Sequence, residues 1–519
     1  MSKFNKPAVR PAVGQSPIAT EAMPSGRTYE GAPGYARGAK GELFLLAVSN
    51  MVGEQTFYEA SGDRDARYAE MVQRVAVDDP AWVTDFLRWL RVEGNMRSAS
   101  LVGAAEAVAG RLAAGTNGGS RQMVNSVLQR PDEPGELFAY WVSRYGRVIP
   151  KPVKRGAADA VRRLYNQYAL LKYDTGSHGF RFADVIDLVH PTPGAPWQSD
   201  LFRYALDRRH GRDVTAPWPL GMLHTNRELR ALAVEHPEAL LNPEVLRSAG
   251  MTWEDALSLV GSKVDKRKLW EALIPSMGYM ALLRNLRNFD QAGVSDEVAE
   301  QVAKRISDPE QVARSRQFPF RFLSAYRNVP SLRWEYPLEK ALDACLVNVP
   351  ELSGRTLILV DRSGSMFWRR SEKAQLTWAD SAAIFGAALA KRNHGRADLV
   401  EFGSTSQVVP LGPGDSLLRL IERFHDLGGT YIQRATREHY RGHDRVVIIT
   451  DDQAHDGDPG AVIPPGVPLY LFNLIGYRHG SAAAGPNRVM LGGGLTDAAF
   501  RLIPLLEAGR SGVWPWQVD

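Results

Sequence analysis

Cysteine is almost absent from this chain: Cys345 is the single one in 519 residues. No intramolecular disulfide and no thiolate zinc site can form, which fits a reducing compartment. Long apolar runs are missing too. No stretch approaches the roughly 18 residues a membrane helix needs, and the opening MSKFNKPAVRPAVGQSP has no apolar signal core. These absences predict a cytoplasmic protein with no membrane association. Charge of one sign is scarce: 63 Lys and Arg against 58 Asp and Glu leave +5. That excess permits nucleic-acid binding without arguing for it, because the distribution of charge matters more than its sum. There is no G-x-x-x-x-G-K-[ST], so a P-loop has no support. His439 and His443 stand four apart, but no Glu follows the first, so a zincin motif is missing as well. No internal repeat is visible at the roughly 40–47-residue period of stacked helix pairs.

What is present divides by texture. Hydrophobic content of 44% and charged content of 23% are those of a globular protein, and the length calls for two or three domains. Residues 1 to about 38 are rich in Pro, Gly and Ala and lack periodicity, and predict a flexible tail, pinned in places against a domain. From 39 to 350 apolar residues recur at three- and four-residue spacing, as in AWVTDFLRWLRVE and ADAVRRLYNQYALLKY. DDPAW, IPKP, HPTPGAP and EHPEALLNPE mark the breaks. Helices over so long a span can bury their apolar faces as a bundle or as stacked pairs, and the length favours stacking, an α-solenoid. After 354, RTLILVD, RADLVEFG, DRVVIITDD and PLYLFNLIG read as buried strands. Between them, LTWADSAAIFGAALAKRN and SLLRLIERFHDL read as helices. That alternation predicts a parallel, doubly wound α/β sheet, whose ligands sit at the carboxyl ends of the strands.

Asp361, Ser363 and Ser365 form D-x-S-x-S at one such end, Thr430 follows in DLGGT, and Asp451 ends VVIITD. Two carboxylates and three hydroxyls are hard oxygen ligands suited to Mg2+ or Mn2+, and they leave the ion able to accept one more oxygen from a partner. The competing reading is a capped strand-to-helix turn. A phosphoryl-acceptor role for Asp361 would want an acid two residues on, where Ser363 stands. The five positions resemble the metal-ion-dependent adhesion site of von Willebrand factor A-like domains, in order and on matching strands.

Basic residues gather in two runs: Arg144, Arg147, Lys151, Lys154, Arg155, Arg162, Arg163 and Lys172, then Lys263, Lys266, Arg267, Lys268, Arg284 and Arg287. Along a groove such groups release counterions from phosphate. Tyr165, Tyr168, Tyr173 and Phe180 lie near the first run and could stack on unpaired bases. The other reading is solvated helix faces over core aromatics.

GYARGAKGELFLLAVSN, LLKYDTGSHGFRFADVIDLVHPTP, YMALLRNLRNFDQAGVSDE, SRQFPFRFLSAYRNV and ALDACLVNVPELSGRTLILVDRSGSM follow one another in order. The series resembles the TROVE module of the Ro autoantigen family, RNA-binding Ro ribonucleoproteins and their bacterial relatives. The resemblance implies a flexible N-terminal tail at 1–26, a TROVE ring of HEAT-like helices at 27–354, and a von Willebrand factor A-like domain at 355–519. It also implies a non-catalytic RNA-binding protein acting in RNA quality control. Its ring would take single-stranded 3′ ends of misfolded RNAs, and its outer surface Y-like non-coding RNA. Polynucleotide phosphorylase is an implied partner, and a self-closed ring makes a monomer the expected state. His190, with Lys172 and Tyr173 upstream, falls at an RNA-contact position of the family. The loop DTGSHG departs from the family's more basic one, with Arg181 or His178 as substitutes. Arg314, Arg316 and Arg321 are further candidates. The alternative is a metal-dependent protein-binding scaffold without RNA.

Overall fold

In the computed structural model the described residues are 16–49, 56, 58–116, 118–175, 179–215, 219–261, 263–315, 317, 319–329, 331–347, 349–369, 376–412, 414–492, 502–507 and 514–517. His178 and Arg316 lie outside them. The chain divides into two compact units. The first joins Met1–Met71, Gln317–Ser324 and Leu342–Asp519, and the second holds Val72–Arg316 and Ala325–Ala341. The units therefore do not follow chain order across residue 354.

The helical unit begins its helices where the breakers stand. Pro80 opens Pro80–Val92, and Asp79 caps it by accepting from Trp82 N at 3.0 Å. Pro150 immediately precedes Lys151–Leu164, and Pro196 opens Pro196–Arg209. Helices touch mainly near neighbours in the chain, as Ser120–Val127 does Lys151–Leu164, and Tyr279–Ala292 does Asp296–Ser307. Close approach depends on glycine at one such contact: a Cβ on Gly156 would stand 2.7 Å from Arg121 O and from Val124.

The other unit is built on a six-stranded sheet. Its strands are β3 (Thr356–Asp361), β4 (Ala397–Phe402), β5 (Ser406–Val408), β6 (Arg445–Thr450), β7 (Leu469–Asn473) and β9 (Arg488–Gly492), after a small hairpin of β1 (Gly26–Arg27) and β2 (Pro33–Ala36). The order is β5-β4-β3-β6-β7-β9, parallel except for the antiparallel edge strand β5. The four strands read from sequence are β3, β4, β6 and β7. β3 and β6 are buried at every position, as continuous apolar runs in a two-sided parallel sheet should be. The helix Trp378–Arg392 lies against β3, with Gly386 over Val360. Of SLLRLIERFHDL only Leu417–Ile421 is α-helical.

The hairpin joins β8 (His479–Gly480) in a second sheet of order β1-β2-β8. Residues expected in the tail are packed here. Ile18 is fully buried, and Ser16 bridges the backbone of Met490, its Oγ accepting from N at 3.1 Å and donating to O at 3.2 Å. Arg37 pairs at 2.8 Å with the fully buried Asp452.

Candidate functional site

β3 leaves the sheet centre toward β4 on one side, while β6 returns on the other. The carboxyl ends of β3 and β6 therefore flank the switch point of the sheet, where the fold leaves a crevice. Val360 pairs with Ile449 there, so Asp361 and Asp451 come to adjoining strand tips. Ser363 N donates to Asp361 Oδ1 at 2.8 Å, and Thr450 Oγ1 donates to Asp361 Oδ2. Ser365 Oγ donates to Asp451 Oδ2 at 2.7 Å and lies 3.4 Å from Ser363 Oγ. Gly364 N donates to Gly428 O at 2.6 Å, which ties this turn to the loop carrying Thr430. Gly428 has φ +77, a left-handed backbone that suits glycine. Arg362 turns away: its guanidinium donates to His425 O and Ala379 O at 2.7 and 2.8 Å.

The structure thus brings Asp361, Ser363, Ser365 and Asp451 into one bonded group, with Thr430 on the adjoining loop. All five are buried, none more than 4% exposed. Burial pushes the Asp361 carboxyl up from the ordinary carboxylate range. Burial, and then the neighbouring Asp361 charge, push Asp451 well up. Among the described residues neither forms an ion pair, whereas the adjacent Asp452 has Arg37. Two carboxylates held from water with only hydroxyl and N–H partners are a set that a divalent cation would complete. No group of three or more His, Cys, Asp or Glu side chains fit for a metal occurs among the described residues, so an ion here would rest on hydroxyl oxygens and this pair.

Sequence reasoning missed what lies over the group. The tip of the β1–β2 hairpin is pinned to the loop after β6: Thr28 Oγ1 donates to Ala454 O and Tyr29 N to Gln453 Oε1, both at 2.9 Å. From this tip Glu30 accepts from the Tyr58 hydroxyl at Oε1, and its Oε2 lies 2.8 Å from His455 Nε2. His455 N in turn donates to Thr430 O at 2.8 Å. The only sequence-level trace of this cover is a turn signal at EGAPG.

In the helical unit the two basic runs meet at one place. A cleft of about 860 Å³ is lined by Tyr168, Tyr173, Trp253 and Tyr279, by Arg97, Arg130, Lys172 and Arg284, and by Asp132, Glu136, Glu254 and Asp255 among others. Arg97 and Arg130 are paired with acids. Lys172 Nζ lies 5.6 Å from the Tyr168 ring and 5.3 Å from Tyr173, with Arg130 over the other side of the cleft at 5.3 Å from Tyr173. The remaining candidates lie elsewhere. Lys151, Lys154, Arg155 and Arg162 follow the outward side of Lys151–Leu164, whose Val153, Ala157 and Val161 are buried. Lys266 and Arg267 open the helix Lys266–Leu273 with Lys263 just before it, and Arg287 is exposed one turn past Arg284. His190 ends Phe182–Val189 in a left-handed conformation, φ +46, and lines a different pocket with Asp187 and Arg203. Among the described residues Lys151, Lys154, Arg155, Arg162, Lys172, Lys263, Lys266, Arg284 and Arg287 form no ion pair, whereas Arg267 pairs with Glu271 at 3.1 Å.

Three expectations are corrected. Tyr165 is fully buried and stacks on Phe182 at 3.8 Å, so it is core rather than a base platform. Arg181 is held by Asp174 at 2.9 Å. Arg163 spans to Leu128 O at 2.7 Å, a structural tie between helices.

Comparison with known proteins gives this geometry a class. The TROVE domain model matches residues 246–363. RNA-binding protein RO60 of Caenorhabditis elegans is 32% identical over 126 residues, 21% of this chain. Telomerase protein component 1 of Mus musculus is 43% identical over 83 residues, 16% of this chain. The chain spans 19% of the first of these proteins and 3% of the second. The crystal structure of the Deinococcus radiodurans RO (RSR) protein superposes with a TM-score of 0.60 at 18% identity, covering 92% of this chain and 99% of that one. The likeness at that identity is one of fold. Together the matches give residues 246–363 the character of a TROVE domain, and the chain as a whole the fold of the Deinococcus radiodurans RO protein.

Proposed function

We propose that the protein is a non-catalytic RNA-binding scaffold, and that the cleft around Lys172 and Tyr173 is its point of grip on unpaired RNA. The observation that carries this reading is the meeting, in that one cleft, of four aromatic side chains with Lys172 and Arg284, the two of its four cations that form no ion pair among the described residues. Lysine and arginine neutralise phosphate, and tyrosine and tryptophan faces stack on bases of any sequence. The named relative RO60 is an RNA-binding protein, which agrees with this chemistry. In the fuller form of the reading, HEAT-like helices close into a ring that admits the single-stranded 3′ end of a misfolded RNA. The free cations of Lys151–Leu164 and Lys266–Leu273, with Arg287 and His190, then hold a structured Y-like RNA. Selection would be by shape and phosphate charge rather than base sequence. Polynucleotide phosphorylase is the proposed partner in RNA degradation, the cytoplasm the proposed location, and the monomer the proposed state.

The test is retention of a hairpin RNA with a 3′ single-stranded tail on a filter as salt rises. With some five phosphate contacts, log affinity should fall against log salt with a slope of about −4. Lys172→Glu should weaken binding by about tenfold or more at low salt. A flat salt response would overturn the reading.

The buried oxygen set supports a second activity in the same chain. We read Asp361, Ser363, Ser365, Thr430 and Asp451 as a Mg2+ or Mn2+ site of the adhesion type in a von Willebrand factor A-like domain, through which a protein partner offering a carboxylate is bound. The ion would supply a positive charge and an open coordination position. The residues orient it, exclude water and keep their two carboxylates close together.

A further inference from the structure

An ion held by two carboxylates and three hydroxyls has an open face, and a carboxylate is the ligand such a face takes. The described structure holds a carboxylate, Glu30, on the hairpin tip that is bonded to the loop following Asp451. Glu30 is fastened at both oxygens, by the Tyr58 hydroxyl and by His455 Nε2 at 2.8 Å. One fastener is also tied to the oxygen set, since His455 N donates to Thr430 O at 2.8 Å. Two residues therefore hold one carboxyl group, and one of them is bonded to the loop of Thr430. Its backbone is equally constrained. Glu30 sits in a turn closed by Gly31 N to Thr28 O at 3.1 Å, with Gly31 at φ +96, and Thr28 and Tyr29 bond the loop that follows Asp451. The rings of Tyr29 and Tyr58 stack at 4.7 Å. All five oxygen-bearing residues are buried.

We infer that Glu30 is the in-chain occupant of the metal site's open face, and that the β1–β2 hairpin is a self-cap which a partner's acidic side chain must displace. The inference rests on the metal-site reading above. A tethered carboxylate competes at an effective concentration in the millimolar range or above, so weak acidic ligands are excluded and only a partner with further contacts gains the site. Partner binding then requires the hairpin tip to leave Gln453 and Ala454, which couples the metal site to the N-terminal segment.

The experiment uses the full chain with Mn2+ and acetate as probes. Free Mn2+ is followed by its electron paramagnetic resonance signal. Acetate is followed by broadening of its methyl NMR line when it meets protein-bound Mn2+. Wild type should bind Mn2+ and broaden acetate weakly. Glu30→Gln should bind Mn2+ about threefold to tenfold more weakly in the absence of acetate, yet take acetate about tenfold more tightly. Tyr58→Phe should move both quantities the same way by less, and Asp361→Asn should abolish Mn2+ binding. Equal acetate broadening in wild type and Glu30→Gln, with Mn2+ still lost in Asp361→Asn, would overturn the cap and leave the metal site standing. Failure of wild type and Glu30→Gln alike to bind Mn2+ would overturn both.

Discussion

Asp361 and Asp451 show how one residue's meaning depends on its neighbour. Each alone would be an acid at a strand end. Side by side and buried, with only neutral partners, they repel one another and favour a cation between them. Saturating Mn2+ should therefore raise the thermal midpoint of wild type, by the equivalent of about 2.7 kcal/mol at a hundredfold excess over the dissociation constant. In Asp361→Asn scanning calorimetry should find that gain gone. Tyr165 and Tyr173 make the opposite pair, alike in sequence and unlike in place. The Tyr165 hydroxyl is buried without a hydrogen-bond partner among the described residues, so Tyr165→Phe should be more stable by about 1 kcal/mol in denaturant melts and leave RNA affinity unchanged. Tyr173→Ala should cost about 1–3 kcal/mol of single-strand affinity, read by fluorescence anisotropy. The core place of Tyr165 was legible: Val153, Ala157, Val161 and Tyr165 recur every four residues, a buried stripe that its nearness to lysines and arginines obscured.

Among the elements, helix starts and central strands were the most readable, because their causes are local. Proline at a first turn, an Asp or Asn cap, and a run of Val, Ile and Leu each act within a few residues. The strands β1, β2 and β8 were not readable. They are two to four residues long, and their pairing joins Tyr35 to Gly480, a partnership no local pattern encodes. The same holds for the Glu30 cover, which meets the metal-site loop through a turn of the hairpin. Glycine in the middle of an element is a sharper signal. A Cβ on Gly386 would stand 2.3 Å from Val360 Cγ2, and one on Gly156 2.7 Å from the backbone oxygen of Arg121. Gly386→Ala and Gly156→Ala should each destabilise by about 1–3 kcal/mol in chemical denaturation, although alanine favours helices in isolation. Unchanged midpoints would mean these helices can move apart freely.

At the scale of the whole molecule, the α/β unit is discontinuous in sequence. A boundary at 354 follows the change of texture, but the sheet's unit also draws on Met1–Met71. Residues 355–519 produced alone should lack the cooperative melt of the full chain, by circular dichroism, because Ile18 and Arg37 are then missing. Loss of Arg37 leaves Asp452 buried without its cation, a change costing about 3–5 kcal/mol in comparable cases. Arg37→Ala in the full chain isolates that part of the effect. The linkage between the ends also has a consequence in time. Ser16 bonds Met490, 474 residues later, and a ribosome adding about 5–20 residues per second needs roughly 25–95 s to travel that far. For that interval the emerging amino-terminal segment has no seat to occupy, and its apolar side chains are open to chaperones and proteases. Birth of this protein is thus completed by its first-made residues arriving last.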